Sequence, residues 1–142
     1  MKKYILILLA AIAIPAADLT AGDNAVICLA KNIYHEARGE SLKGKLAVAK
    51  VTLNRVEAAG FSNTVCGVVY EPKQFSWTSN RALKVLDKQA WAEALELAQH
   101  SIQTQLMYMN FDALYFHTVQ MPKPSKWRVK KVAKIGNHVF YK

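Results

Sequence analysis

Apolar residues Val26, Leu29, Ala30, Ile33 and Ala37 recur at helical spacing and predict an amphipathic helix over 25–37. Asp23 or Asn24 is placed to cap it, and Gly39 to end it. Ser41 then offers a cap for a second helix over 42–58, with a stripe of Leu42, Leu46, Ala49, Leu53 and Val56. Val48 and Val51 make that helix apolar almost all round, which predicts a central position. Thr52 and Asn54 would then need hydrogen-bond partners inside. Ser62 or Asn63 is placed to cap a short helix through Val69, broken by Glu71-Pro72. A loop is expected over 73–80. A longer helix is expected over 87–103, with Trp91, Ala94, Leu95, Ala98 and Ile102 on one face.

Beyond it the pattern changes. Segments 114–118, 129–135 and 138–141 are β-prone, and Gly136-Asn137 makes a tight turn between the last two. Helices first and a small antiparallel sheet last predict a mostly helical α+β fold.

The start of the chain stands apart from this pattern. Lys2 and Lys3 precede an apolar run from Tyr4 to Ile14, then Pro15 and the small residues Ala16, Ala17 and Ala21. This is the form of an export signal over 1–21, either cleaved or kept as a signal-anchor. One domain over 22–142 follows, large enough to bury a core. The expected location is the periplasm or the cell wall. Cys28 and Cys66 are the only cysteines, and both lie in the exported part. Two buried thiols are one reading; export and the even count favour a disulfide.

Net charge is +9, and no Asp or Glu occurs from Ala113 onward. Lys123, Lys126, Arg128, Lys130, Lys131, Lys134 and Lys142 occupy that C-terminal segment. A basic field attracts polyanions. For an exported chain these are anionic wall polymers or lipid headgroups, with no nucleic acid partner expected. The same charge also serves a solvated, soluble face.

Glu36 is the residue with most chemical promise. It projects about 60° from Ile33, on the edge of the first apolar stripe. A carboxyl against apolar surface has its pKa raised, as a general acid for glycoside cleavage requires. Its bland alternative is a helix-end carboxylate paired with Arg38 or a lysine. Glu40 lies past Gly39 and reads as an acid favoured near the start of the second helix. His35-Glu36 invites a zinc reading, but the second histidine of that motif would stand at Gly39, so no metal is implied. Cys66 with His117 as a thiol peptidase pair lacks an activating neighbour in sequence.

Five segments carry a family resemblance: YHEARGE at 34–40, SLKGKLAVAKVTLNRV at 41–56, FSNTVCGVVYEPKQFSWT at 61–78, ALYFHT at 113–118 and KWRVKKVAKIGNHVFYK at 126–142. In these the chain resembles the SleB-type cell wall hydrolases, which include spore-cortex-lytic enzymes and related bacterial and phage wall hydrolases. The resemblance runs from Ala25 to Lys142. It implies a lysozyme-like, lytic-transglycosylase-like fold that acts on the glycan strand of peptidoglycan. It also implies that Glu36 is the catalytic acid, that Gln74, Phe75 and Ser76 contact substrate, and that the strand bearing Tyr115 and His117 lies beside the cleft. Asp112 departs from the family pattern, where a small residue is usual. No second carboxylate stands out; Asp112 and Glu71 are weak candidates. The expected chemistry is therefore cleavage between N-acetylmuramic acid and N-acetylglucosamine as a lytic transglycosylase, by a monomer without cofactor. The alternatives are a muramidase with a second carboxylate, and a non-catalytic basic module that binds wall or lipid.

Overall fold

The structure, a computed structural model, describes residues 17–80 and 83–142. The first sixteen positions of the expected export signal lie outside the described residues. Among the described residues, four α-helices precede three strands: α1 (Ala17–Ala37), α2 (Leu42–Glu57), α3 (Val65–Val69), α4 (Lys88–Thr104), then β1 (Tyr115–Thr118), β2 (Lys131–Ile135) and β3 (His138–Tyr141). A 3-10 turn at Ser76–Ser79 interrupts the expected loop. The expected α+β order, helices then a small antiparallel sheet, is what the chain adopts.

The local chemistry explains most of the boundaries. Ser41 caps α2 by accepting from the Gly44 N–H at 3.3 Å. Asp87 caps α4 by accepting from the Ala90 N–H at 2.9 Å. Thr64, rather than Ser62 or Asn63, caps α3, because its hydroxyl is the one that meets the Gly67 N–H, at 3.0 Å. Helix α1 starts before Asp23 and Asn24, so these two lie within it and not at a cap. Ala17, Ala21 and Ala25, strong helix formers, carry the helix through them.

Helix α2 is central, as its apolar periphery predicts. Ala47, Val48, Ala49, Val51 and Leu53 are buried, while Leu42 at its start is exposed. One side of the core joins Leu29, Ile33 and Tyr34 of α1 with Ala94 and Ala98 of α4 and with Leu106. The other side packs Ala37, Val48 and Val51 against Ala113 and Phe140 beneath the sheet. The polar residues of α2 find their partners. Thr52 accepts from Asn32 Nδ2 at 3.2 Å, and Asn54 Nδ2 donates to the carbonyls of Phe111 at 2.9 Å and Ala113 at 3.0 Å. These last two bonds tether α2 to the chain entering β1.

The sheet order is β1-β3-β2, all antiparallel. Tyr115 pairs with Tyr141 and His117 with Val139. Glu40 holds the β2–β3 turn by accepting from the Asn137 N–H at 3.2 Å. Gly136 in that turn has φ 55°, and a Cβ there would overlap the Glu40 carboxylate. Glu40 thus acts on the hairpin, beyond the helix-start role its position predicts. Cys28 and Cys66 form a disulfide that joins α1 to α3.

Candidate active site

A cleft of about 850 Å³ opens between the end of α1, the loop 72–76, strand β1 and the loop 121–127. Glu36, Gln74, Phe75, Ser76, Tyr115 and His117 all line it. Glu36 and the five expected substrate contacts, taken from three distant stretches of chain, therefore meet in one cavity. The disulfide cysteines lie elsewhere, at the junction of α1 and α3.

Glu36 is placed by the last turn of α1, whose apolar stripe is fixed in the core by Leu29, Ile33 and Ala37. Burial lifts its carboxyl to about 7, against the opposing pull of the Arg55 charge. At neutral pH a large fraction is protonated and able to donate.

Arg55 is the residue the sequence did not reveal. It is 4 % exposed and lines the same cleft. Its Nε donates to the Leu114 carbonyl at 2.7 Å, and its guanidinium lies 5.2 to 5.8 Å from the ring centres of Phe61, Phe75 and Tyr115. Burial lowers its pKa to about 10, with Tyr115, Glu71 and Glu36 supporting the charged form, so it remains a cation at neutral pH. Its Nη1 and the Glu71 Oε2 are both buried without a hydrogen-bond partner. Arg55 stands in the last turn of α2, on a helix that also carries Lys43, Lys45 and Lys50, so its sequence position reads as one more helix-end cation.

The walls divide their labour. Phe75 is buried against Phe116 and the Arg55 cation, whereas Gln74 and Ser76 are exposed to the cleft. Trp77 turns away from this cavity. It stacks on His35 at 4.7 Å and donates from Nε1 to Asn32 at 3.2 Å. His117 has both ring nitrogens engaged. Nδ1 faces the Thr118 carbonyl at 2.7 Å, so it carries the proton, and Nε2 then accepts from the Tyr141 hydroxyl at 3.0 Å. His117 therefore offers the cleft a fixed ring. Trp127, also missed in the sequence, packs near Tyr115 and His117 and completes this wall.

The weak candidates for a second acid are not in the cavity. Asp112 is exposed and paired with Lys142, whose hydrogen bond holds its carboxyl below the usual range. Glu71 sits beside the Arg55 charge and does not line the cleft. Among the described residues, Glu36 is the one acid on the cleft wall.

Residues 39–141 match the family model described as Cell Wall Hydrolase. The chain belongs to the cell wall hydrolase family. It is 35% identical over 123 residues to a spore cortex-lytic enzyme of Bacillus cereus, covering 84% of this chain and 44% of that protein. It is 32% identical over 130 residues to a spore cortex-lytic enzyme of Bacillus subtilis (strain 168), covering 88% and 40%. The chain thus spans less than half the length of these curated relatives. Its fold is similar to the catalytic domain of the germination-specific lytic transglycosylase SleB from Bacillus anthracis, with TM-score 0.67 and 32% identity, over 84% of this chain and 94% of that one. The catalytic domain of the Bacillus cereus SleB protein gives TM-score 0.65 at 30% identity, over 84% and 91%. Glu36 lies three residues before the matched family segment, on the helix that this cell wall hydrolase places against the cleft.

Proposed function

We propose that this chain cleaves the glycan strand of peptidoglycan between N-acetylmuramic acid and N-acetylglucosamine, as a lytic transglycosylase. The observation that carries the reading is a single carboxyl, Glu36, lifted to about 7 on the wall of a cleft large enough for sugar rings. Glu36 donates its proton to the glycosidic oxygen as the bond from C1 to that oxygen breaks. The carboxylate left behind then takes the proton of the muramic 6-hydroxyl, whose oxygen bonds to C1 and closes a 1,6-anhydro ring. Gln74 and Ser76 supply polar contacts to the sugars, while Tyr115 and the His117 ring form an aromatic wall. Phe75 shapes the floor beneath.

The action on wall polymer fits export, with residues 1–21 as the signal and 22–142 as the catalytic domain. Among the described residues, no helix is long and apolar enough to cross a membrane. The exposed basic side chains of 123–142 favour added contact with anionic wall polymers or lipid headgroups, and the protein acts as a monomer. That basic surface also supports the second reading, a binding module without catalysis. Clearing of purified peptidoglycan separates the two. Wild type should lower turbidity and Glu36→Gln should not; equal clearing by both, or none by either, would overturn the proposal.

A further inference from the structure

Two lysines border the cleft that holds Glu36. Lys73 stands on the loop 72–76 and Lys126 on the loop 121–127, and both are exposed. Neither forms an ion pair or side-chain hydrogen bond with the described residues. No exposed carboxylate lines the cavity with them. The cavity rim is therefore a pair of unneutralised ammonium groups.

Lys73 is also held in an unusual place. Residues Glu71 to Gln74 form a tight turn, closed by the Gln74 N–H on the Glu71 carbonyl at 3.2 Å. Pro72 occupies the second position and Lys73 the third, with φ 67°. A turn with proline second and a positive φ third asks for glycine or asparagine at that third position. Lysine there carries backbone strain that glycine would not. A strained cation without an ion-pair partner among the described residues therefore stands at the mouth of the cleft.

We propose that Lys73 and Lys126 bind carboxylates carried by the substrate, so that the cleft selects anionic glycan strands over neutral ones. The proposal rests on the reading of this cleft as a glycan-cleaving site. The shared ligand chemistry is a carboxylate beside the muramic ring. It has two sources: the free lactyl group of a strand without peptide, or the carboxylates of an attached peptide stem.

Three substrates distinguish them: peptide-bearing strands, strands stripped of peptide by an amidase, and stripped strands whose lactyl carboxylates are converted to methylamides. The full chain should cleave at least one carboxylate-bearing strand with kcat/KM about tenfold above the amidated strand at low salt, shrinking as salt rises. Preference for the stripped strand assigns the lactyl carboxylate; preference for the peptide-bearing strand alone assigns the stem. Lys73→Gly should lower that preference about threefold to fivefold, and Lys126→Gln similarly, while Lys73→Gly keeps or raises the melting temperature. Equal cleavage of all three strands by wild type, or an undiminished preference in the double variant, would overturn it. Loss of all cleavage in wild type would instead remove the catalytic reading beneath it.

Discussion

Arg55 donates from Nε to the Leu114 carbonyl at 2.7 Å, and this bond fastens the central helix to the residue that precedes the cleft strand. The same guanidinium packs among Phe61, Phe75 and Tyr115 and bears on Glu36 through its charge. It joins scaffold to chemistry, since one side chain supports the wall and restrains the acid.

Replacing it separates these roles. Arg55→Met removes the bond to the Leu114 carbonyl and leaves that part-buried acceptor without its charged donor, at a cost of about 1–3 kcal/mol in unfolding free energy. It also removes the charge that pulls the Glu36 pKa down, so the alkaline limb of kcat/KM should move to higher pH. Denaturant titration and a pH–rate profile check the two effects. An unchanged limb in a folded variant would show that Arg55 is structural only.

The three long helices were legible because each carries a clear apolar stripe, and Ser41 and Asp87 cap where the pattern begins in two of them. The disulfide was legible because two cysteines leave one pairing. Thr64 was not, since Ser62, Asn63 and Thr64 are all capping residues and only the path of the chain chooses among them. The cleft itself joins position 36 to 74–76 and 115–117, and no local period reports that meeting. The resemblance supplied those residues; the geometry added Arg55 and Trp127. Asp112 looked informative as a departure from the family pattern, yet its side chain pairs with Lys142 away from the cavity.

The raised Glu36 pKa has a stability consequence with a definite sign. A carboxyl near 4.5 unfolded and about 7 folded binds more protons in the native state. Stability therefore falls as pH rises through that window and stays low above it. Glu36→Gln abolishes the penalty, so it should stabilise by about 2–3 kcal/mol at pH 8 and by little at pH 4. The same variant should lose about 10²–10⁴ in rate. Chemical denaturation at the two pH values decides the first point. Stabilisation that is equal at both would show that the carboxyl is not held in its neutral form.

The Cys28–Cys66 bridge spans a sequence separation of 38 and ties α1, the helix that carries Glu36, to α3. In the chain-entropy model such a loop contributes about 3–4 kcal/mol. Replacing both cysteines with serine should therefore lower the melting temperature by roughly 10–20 °C. Protein collected from its native compartment should show no free thiol when titrated under denaturing, non-reducing conditions. Two reactive thiols there would mean that the bridge is not formed in the cell.

The products should end in 1,6-anhydro-N-acetylmuramic acid. Hydrolysis requires a water held on the sugar face opposite or beside the acid, usually by a second carboxylate about 5–9.5 Å from the first. Among the described residues the cleft wall provides Glu36 and no second acid. Glu71 lies beside the Arg55 charge and off the cleft lining, and Asp112 is paired with Lys142 on another face. The 6-hydroxyl needs no such carboxylate, because it is tethered to the reacting ring and gains from proximity. Glu36, deprotonated by its first step, is then the base at hand. Mass spectrometry of digested strands reads the outcome directly, since each anhydro product is lighter than its hydrolytic counterpart by one water. Asp112→Asn should leave that product unchanged and the rate within about twofold, as expected for an exposed pair that contributes little. Dominant reducing-end products that disappear in Asp112→Asn would instead make Asp112 the second carboxylate of a muramidase, and would require the segment before β1 to swing into the cleft.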